Sequence, residues 1–318
     1  MSVAFHTFLS SSVKRRLLYT KIAPILTDVT LRDGLQYASI IDYGTVQKKD
    51  LFHTILFQEN PPNMEVGALT SYKTLPIMAD SLDIHKYVSS GEWSMERDLM
   101  VDLFANGNST IPLNTDHPDK RYFMLISALK KLPLALDSGV KHLAFSTSVS
   151  EIFQKRNMNR SLTETKTEFT NMFLEYPVLH SLYTKLYISC IRECPLQGKI
   201  DIDWIVKEIL YYHTHYPFRE ICLADTCGTL TLEDFKYIVE TIKIFGFPYS
   251  KLSLHLHVDK ENLTNIKSIL YYCFTSGIRQ FDVSLLNTGG CPVLEKSCSN
   301  LSYNDFYEML KTYIEMKE

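Results

Sequence analysis

Two histidines one residue apart are the strongest chemical signal in this sequence. His255 and His257 flank Leu256 inside the apolar stretch 252–258, which is typical of a buried strand. Because residues two apart on a strand point to the same face, both imidazoles enter one space. A buried histidine needs a partner, so the pair indicates either one edge of a metal site or two hydrogen-bonded histidines in a core. Further ligands elsewhere in the chain decide between the two.

Two other short segments carry residues that could complete such a site. Residues 32–34 read Arg-Asp-Gly, and residues 289–292 read Gly-Gly-Cys-Pro. A carboxylate is a metal ligand, a guanidinium stabilises negative charge, and a thiol can transfer a proton. Taken singly, Arg32 and Asp33 could be a plain ion pair, and Cys291 a small buried hydrophobe. Together with the histidines, they favour an enzyme over a binding module.

The composition narrows the classes of partner. The chain has 318 residues, of which 45% are hydrophobic and 22% charged, and its formal net charge is -3. This balance gives no basic footprint for nucleic acid, and no apolar run approaches the roughly 20 residues that span a bilayer. We therefore expect a small-molecule partner, with neither nucleic acid nor membrane. The seven cysteines form no CxxC pair, which favours a reducing compartment over a secreted disulfide framework.

The beginning of the chain has its own composition. The first 27 residues contain no Asp or Glu, and they carry four basic residues beside a run of three serines at 10–12. Such a segment fits a mitochondrial transit peptide or a short solvated arm. We divide the chain into an arm at 1–23 and a catalytic domain at 24–318. We prefer the arm and a cytoplasmic location, with the mitochondrial matrix as the alternative.

The elements that position these groups follow from the hydrophobic pattern. Short apolar or β-branched runs alternate with longer amphipathic segments to the end of the chain. The pattern predicts eight strands, at 24–30, 63–67, 98–105, 142–147, 185–191, 220–225, 253–258 and 280–286. It predicts helices at 45–58, 119–131, 163–176, 202–213, 232–245, 261–275 and 303–317.

Eight strand and helix units predict an α/β fold of one domain, the (β/α)8 TIM barrel. A doubly wound open sheet is the alternative, but it places a glycine-rich turn after its first strand, where this chain has Arg-Asp-Gly-Leu-Gln at 32–36. The active site of a TIM barrel lies at the carboxyl ends of its strands. The polar candidates lie at the carboxyl ends of predicted strands or in the segments that follow them: Arg32, Asp33, Glu65, Asp225, Cys291 and Asn300.

The order and spacing of these motifs resemble a known family. The segment 28–36, the histidine pair, and the loop 289–292 followed by Asn300 resemble the metal-dependent lyase and synthase TIM barrels. Within that superfamily, the chain is most similar to 3-hydroxy-3-methylglutaryl-CoA lyase. Four further regions favour the lyases over the isopropylmalate and homocitrate synthases: 64–66 with 78–80, 150–153, 189–199 and 223–226. The resemblance covers about residues 24–312.

The resemblance implies a carbon–carbon bond cleavage that requires a metal. The substrate is then 3-hydroxy-3-methylglutaryl-CoA and the products are acetyl-CoA and acetoacetate. The resemblance also implies a divalent cation, which polarises the tertiary hydroxyl and orients the substrate. Its ligands are then Asp33, His255, His257 and Asn300. This mixed set of nitrogen and oxygen donors suits Mg or Mn better than Zn.

The remaining roles implied by the resemblance concern charge and protons. Arg32 stabilises the developing enolate, Cys291 protonates it, and either His255 or another base near the metal accepts the hydroxyl proton. Gln36, Glu65 and Asp225 would support the site or the substrate. Structural roles stay open for two of them, because Glu65 could be a paired strand-end carboxylate and Asp225 a helix cap. The resemblance also implies a homodimer.

Three departures from the family pattern bear on activity. The loop 292–299 is bulkier and more charged than the Gly- and Ala-rich family loop, Val258 stands where the family has Asp, and Gly67-Ala68 replaces small hydroxyl residues. These differences keep two alternatives open. One is a related synthase that condenses an acyl-CoA with a keto acid, and the other is a degenerate barrel that binds an acyl-CoA without turnover.

Overall fold

The computed structural model describes residues 5, 7–9, 13–36, 42–70, 73, 75–91, 120–285, 289 and 298–318. The predicted strand at 98–105 and the candidate proton donor Cys291 lie outside these residues.

Parallel strands that close on themselves form the centre of the fold. The strands are β1 Ile25–Asp28, β2 Asn63–Leu69, β3 Arg121–Ile126, β4 His142–Ser148, β5 Tyr183–Ser189, β6 Glu193–Cys194, β7 Gly198–Lys199, β8 Glu220–Asp225, β9 Leu252–Val258, β10 Gln280–Val283 and β11 Ser299–Asn300. Eight of them pair in the order β10-β1-β2-β3-β4-β5-β8-β9, and β9 pairs with β10 to close the barrel. The predicted TIM barrel is therefore confirmed.

Helices pack around the outside of the barrel. They are α1 Val13–Ile22, α2 Thr45–Gln58, α3 Ser81–Ser90, α4 Leu132–Asp137, α5 Glu151–Met158, α6 Leu162–Glu175, α7 Ile202–His215, α8 Leu232–Ile244, α9 Leu263–Ser276 and α10 Tyr303–Lys317. Local sequence explains several of their ends. Ser161 and Glu164 form a capping box at the start of α6, and Gly277 adopts the left-handed conformation (φ 95°) after α9.

The prediction was wrong at the third strand. Residues 119–131 were predicted to form a helix, but Arg121–Ile126 forms β3, which pairs with β2 on one side and β4 on the other. The sequence Arg-Tyr-Phe-Met-Leu-Ile has no polar residue inside its apolar run. A short apolar run carries no period that separates a helix from a buried strand, so only the pairing with two neighbours decides.

The antiparallel strand β11 matters for the site. It adds to β9 at the carboxyl end of the barrel, with Asn300 opposite His257 and Ser299 opposite Val258. A residue 43 positions away in the chain is thereby fixed beside the histidine pair. The separate hairpin of β6 and β7 follows β5 on the same face.

Helix α1 and the residues before it contact the last helix. Arg15 pairs with Glu318 at 2.9 Å, and the rings of Phe5 and Tyr307 stack with centroids 4.9 Å apart. None of the helices in the described part of the chain is both long and apolar enough to span a bilayer.

The turn after β1 depends on one hydroxyl. Thr30 Oγ1 donates to Asp28 Oδ2 at 3.0 Å and accepts from the Leu285 amide at 2.8 Å, which ties β1 to the end of β10. The side chain of Thr30 is fully buried. Its hydroxyl therefore satisfies a buried carboxylate and a half-buried amide.

We predict that Thr30→Val destabilises the fold although the two side chains have nearly the same shape. The substitution leaves a half-buried amide and a buried carboxylate without this partner, at a cost of about 1–3 kcal/mol. Urea unfolding measures the change, and Thr167→Val on the exposed face of α6 is the matched control. Equal stability of the two variants would contradict the role of Thr30.

Candidate active site

A tight turn places two charged residues at the carboxyl end of β1. Residues Thr30–Gly34 form a single π-helical turn directly after the strand. Asp28 accepts a hydrogen bond from the Thr30 amide at 2.9 Å, so the turn begins at a fixed point. Because this geometry winds the chain back over the barrel mouth, Arg32 and Asp33 are both buried there.

Asp33, His255 and His257 come together at this mouth. One ligand atom from each of them lies within 4.8 Å of the other two, and all three side chains are buried. His255 Nε2 is 3.2 Å from His257 Nε2 and 3.9 Å from Asp33 Oδ2. A carboxylate and two imidazoles at this separation are a donor set for a divalent cation.

The outer nitrogens of the two histidines are already engaged. His257 Nδ1 lies 3.0 Å from the Thr226 carbonyl oxygen, and His255 Nδ1 lies 3.2 Å from Asp282 Oδ2. Because a carbonyl only accepts, His257 carries its proton on Nδ1 and turns the lone pair of Nε2 inward. Burial, together with the neighbouring His255, lowers the pKa of His257 to about 4, so its imidazole is neutral at pH 7. A neutral imidazole is the form that binds a metal.

Asn300 supplies the clearest evidence that a cation fits. Its side-chain nitrogen donates to Asp33 Oδ2 at 2.8 Å, while its Oδ1 is buried and has no hydrogen-bond partner among the described residues. A buried carbonyl oxygen without a partner is costly. A divalent cation beside Asp33 would satisfy this oxygen, and amide oxygens are ordinary ligands of hard cations.

Gly289 brings the backbone of the following loop against the same group. Its φ is +98°, and a Cβ at this position would meet the amide of Asn300 and lie 2.9 Å from Asp33 Oδ2. Only glycine combines this conformation with this approach. The chain therefore passes directly over two ligand candidates two residues before Cys291.

Arg32 is held by carboxylates on two sides. Its Nε donates to Glu65 Oε2 at 2.6 Å, and its Nη1 donates to Asp33 Oδ1 at 2.5 Å. Burial opposes the charged form, but the two carboxylates outweigh it and raise the pKa of Arg32. For Asp33, burial opposes ionisation, but Arg32 and the histidines lower the pKa. The guanidinium is thus a fixed positive charge beside the candidate metal ligands.

The pairing of β2 with β3 is irregular beside Glu65, the residue that binds Arg32. The register of β2 with β3 shifts between Glu65 and Gly67. A Cβ on Gly67 would meet Ser81 Cβ at 2.5 Å, and the Ser81 hydroxyl accepts from the Ala68 amide at 3.0 Å. The Ser81 hydroxyl of α3 therefore lies beside β2 at the point where Gly67 and Ala68 replace the small hydroxyl residues of the family pattern.

The inside of the barrel below the site is charged rather than apolar. The Tyr187 hydroxyl lies 2.8 Å from Glu65 Oε1 and 2.7 Å from Asp282 Oδ2, and has one proton to donate between them. Lys185, which is fully buried, contacts Asp282 Oδ1 at 2.6 Å and Glu220 Oε1 at 3.1 Å. These bonds join the turn after β1 to the strands on the far side of the barrel.

The formal charges of this network do not balance. Its described members include four buried carboxylates and two buried cations. The carboxylates belong to Asp33, Glu65, Glu220 and Asp282, and the cations to Arg32 and Lys185. Two excess negative charges are expensive in a buried space, and one divalent cation neutralises them. The charge balance and the partnerless oxygen of Asn300 therefore agree.

Comparisons with known proteins identify relatives of one kind. No family model matches the chain. A protein of Pseudomonas aeruginosa named 3-hydroxy-3-isohexenylglutaryl-CoA/hydroxy-methylglutaryl-CoA lyase is 28% identical over 291 residues, which cover 90% of this chain and 84% of the relative. The mitochondrial hydroxymethylglutaryl-CoA lyase of Bos taurus is 26% identical over 288 residues, which cover 90% and 77%. Over 90% of its length the chain is similar to proteins named hydroxymethylglutaryl-CoA lyase.

Solved structures of hydroxymethylglutaryl-CoA lyases share the fold. The enzyme of Pseudomonas aeruginosa superposes with a TM-score of 0.71 at 26% identity, covering 91% of this chain and 85% of that one. The lyase of Acinetobacter baumannii, in complex with coenzyme A and 3-methylmalate, has a TM-score of 0.73 at 23% identity and covers 92% and 85%. The resemblance inferred from the sequence motifs is confirmed.

The structure brings together most of the residues that the lyase resemblance implies. Gln36 joins them, because its Nε2 donates to Asp33 Oδ1 at 3.2 Å. Asp225 does not enter the group: its carboxylate accepts from the amides of Thr229 and Leu230 at 3.1 and 3.0 Å and holds the loop after β8. Burial raises the pKa of Asp225 to about 6. The chemical roles of the site residues stay predictions.

Sequence reasoning missed four members of the network, one of which is Glu220 at the start of β8. Lys185 and Tyr187 lie two apart on β5 and face the same side, and Asp282 interrupts an apolar strand. The argument applied to the histidine pair would have found them, because charged residues inside apolar strands also need partners.

We predict that Asn300→Ala weakens metal binding without unfolding the protein. The change removes an oxygen donor and a bond that orients Asp33, so the Kd for Mn²⁺ should rise by about tenfold or more. Titration calorimetry of the metal-free protein measures it, and thermal unfolding checks the fold. Ser299→Ala, the neighbouring residue on β11, is the control and should bind Mn²⁺ like the wild type. An unchanged Kd in Asn300→Ala would remove Asn300 from the ligand set.

Proposed function

We propose that this protein is a metal-dependent carbon–carbon lyase that cleaves 3-hydroxy-3-methylglutaryl-CoA to acetyl-CoA and acetoacetate. One observation carries the proposal. A buried Asp, His, His and Asn group with a partnerless amide oxygen lies beside a fixed guanidinium, at the carboxyl end of a barrel shared with lyases of this name. An acyl-CoA substrate follows from the same homology.

The metal is proposed to be Mg²⁺ or Mn²⁺ rather than Zn²⁺. Asp33, His255, His257 and Asn300 would hold it. When bound, such a cation polarises a hydroxyl or carbonyl oxygen of the substrate and helps to orient it. The support for a harder cation is the share of oxygen donors, together with the absence of a thiolate from the described residues of the group.

Arg32 is proposed to stabilise the enolate that forms on the thioester side when the bond breaks. Its bonds to Glu65 and Asp33 fix the plane of the guanidinium. Other N–H groups of the guanidinium remain available to the substrate. A donor that is already oriented does not have to reorganise when negative charge develops. Glu65 is therefore proposed as a positioning residue for Arg32.

His255 or another base near the metal is proposed to accept the proton of the tertiary hydroxyl. Because a neutral imidazole has only one nitrogen lone pair, His255 could take this role only while its Nε2 is not bound to the cation. Its Nδ1 faces Asp282, and the other oxygen of Asp282 accepts from Lys185 at 2.6 Å. The carboxylate would stabilise an imidazolium, while Lys185 keeps the carboxylate ionised. Asp282 thus acts through His255 as a positioning residue.

Cys291 is proposed to return a proton to the enolate of acetyl-CoA. The contact of Gly289 with Asp33 and Asn300 supports this role, because Cys291 follows two residues later in the sequence. We expect the bulkier sequence at 292–299 to affect the rate at which acetyl-CoA forms.

Arg32→Met tests the assignment of the guanidinium. We expect about a 10²- to 10³-fold fall in kcat, as for loss of an oxyanion donor, with Mn²⁺ binding retained. Acetoacetate and acetyl-CoA formation are measured with Mg²⁺ or Mn²⁺ and again after chelation. Arg160→Met is the control, since Arg160 pairs with Glu168 on the outside of the barrel.

The same assay separates the alternatives. Formation of both products that stops on chelation supports the lyase. Metal binding without turnover on any acyl-CoA would replace it with a degenerate binding barrel. Release of free CoA from acetyl-CoA and a keto acid would instead identify a condensing synthase.

Cys291→Ala should retain the metal and slow turnover, because only the proton donor is lost. Cys227→Ala, a half-buried thiol that donates to the Glu193 carbonyl, is the matched control and should keep the wild-type rate. An unchanged rate in Cys291→Ala would exclude the proton-donor role.

We also propose that residues 1–23 form an arm distinct from the catalytic domain at 24–318. Relatives include proteins named mitochondrial and cytoplasmic, so the compartment does not follow from the comparison. We favour the cytoplasm, because Phe5 and Arg15 contact α10. A fluorescent protein carrying residues 1–23 distinguishes the two locations by microscopy. A homodimer is proposed from the resemblance, and light scattering tests it.

A further inference from the structure

A second polar pocket lies at the opposite end of the barrel from the candidate active site. Its volume is about 450 Å³, within the range of about 300–1,000 Å³ that is usual for small-molecule sites. Its walls come from the amino ends of four adjacent strands, β3, β4, β5 and β8. Since β5 has seven residues, the pocket lies roughly 20 Å from the metal group.

The lining of this pocket is basic. Arg121, Lys141 and Arg219 contribute positive charges, and among the described residues no carboxylate lines the cavity. The nearest acid on these strand ends is Glu220, which is buried and turned inward to Lys185 at 3.1 Å and to the Tyr183 hydroxyl at 3.0 Å. Its charge is therefore engaged inside the barrel.

None of the three cations is paired with a carboxylate of the described residues. Arg121 and Lys141 form no ion pair with any carboxylate of the described residues, and the Arg121 guanidinium lies over the Tyr183 ring at 4.2 Å. Arg219 donates one hydrogen bond, to the His180 carbonyl at 3.1 Å. Most of its donors remain available.

Arg279 shows that a basic residue at the start of a strand can have a structural task instead. It precedes β10, and its guanidinium donates to the Cys273 and Phe274 carbonyls at 3.3 and 3.2 Å, where α9 ends. Arg121 caps no helix in this way. Like charges that converge around a cavity repel each other, and a bound anion removes the repulsion.

We propose that this pocket binds a small phosphorylated polyanion, of the diphosphate class. Three cations on separate strand ends match a ligand whose charge is spread over more than one phosphate. Guanidinium groups suit phosphate because their donors form parallel pairs with its oxygens. His142, which also lines the pocket, has its pKa lowered to about 4 by burial and by the neighbouring cations, so it offers a neutral ring to the ligand at pH 7.

Inorganic pyrophosphate is the probe for this site. Titration calorimetry with the full chain, free of divalent metal, should show one site. Lys141→Ala with Arg219→Ala should weaken binding at least tenfold, and both residues are exposed, so the fold should tolerate the change. The matched control removes two exposed lysines elsewhere, Lys155→Ala with Lys207→Ala, and should bind like the wild type. Equal losses in the two double variants would show unspecific attraction and overturn the proposal.

Two further arms locate the site and its ligand class. Arg32→Met should leave pyrophosphate binding unchanged, and a loss there would place the anion at the active site instead. Inorganic phosphate should bind at least tenfold more weakly than pyrophosphate at the same ionic strength. Equal affinity for the two anions would exclude the diphosphate class. Because the pocket lies at the other end of the barrel, failure of this proposal leaves the proposed lyase activity untouched.

Discussion

The excess of negative charge inside the barrel is the constraint on which the rest of this structure depends. Four carboxylates and two cations are buried in one connected network, which a divalent cation would neutralise. Such charges are costly to bury and would be replaced by apolar residues if packing alone mattered. The hydrogen bonds and ion pairs among these charged groups instead hold them in fixed positions at the mouth of the barrel. Among the described residues, the buried Oδ1 of Asn300 has no hydrogen-bond partner, and a cation beside Asp33 would satisfy it.

This network also explains how distant strands share one site. Arg32 joins β1 to β2 through Glu65, the Tyr187 hydroxyl joins Glu65 to Asp282, and Asp282 supports His255. Each bond satisfies one group and orients the next, so an alteration at one strand changes the orientation of the candidate metal ligands. Preorganisation of this kind is what an enzyme needs when charge develops during a reaction. The network is therefore better understood as a support for chemistry than as a source of stability.

The two ends of the barrel differ in electrostatic character. The carboxyl ends of the strands gather acids and imidazoles around a place for a cation, whereas the amino ends of β3, β4 and β8 carry unneutralised basic residues. Parallel strands make this separation possible, because every strand contributes one residue to each end. Lys185 lies between the two regions and contacts Glu220 at 3.1 Å and Asp282 at 2.6 Å.

The sequence by itself determined the barrel, the histidine pair and the Arg32 and Asp33 turn, because periodicity and residue type are local properties of the chain. The identity of β3 was decided only by the tertiary structure, since an apolar run is neutral between helix and strand until both neighbouring strands pair with it. The same holds for Asp282 and Asn300. Their partners lie far away in the chain, and only closure of the barrel and the pairing of β11 with β9 bring them to the histidines.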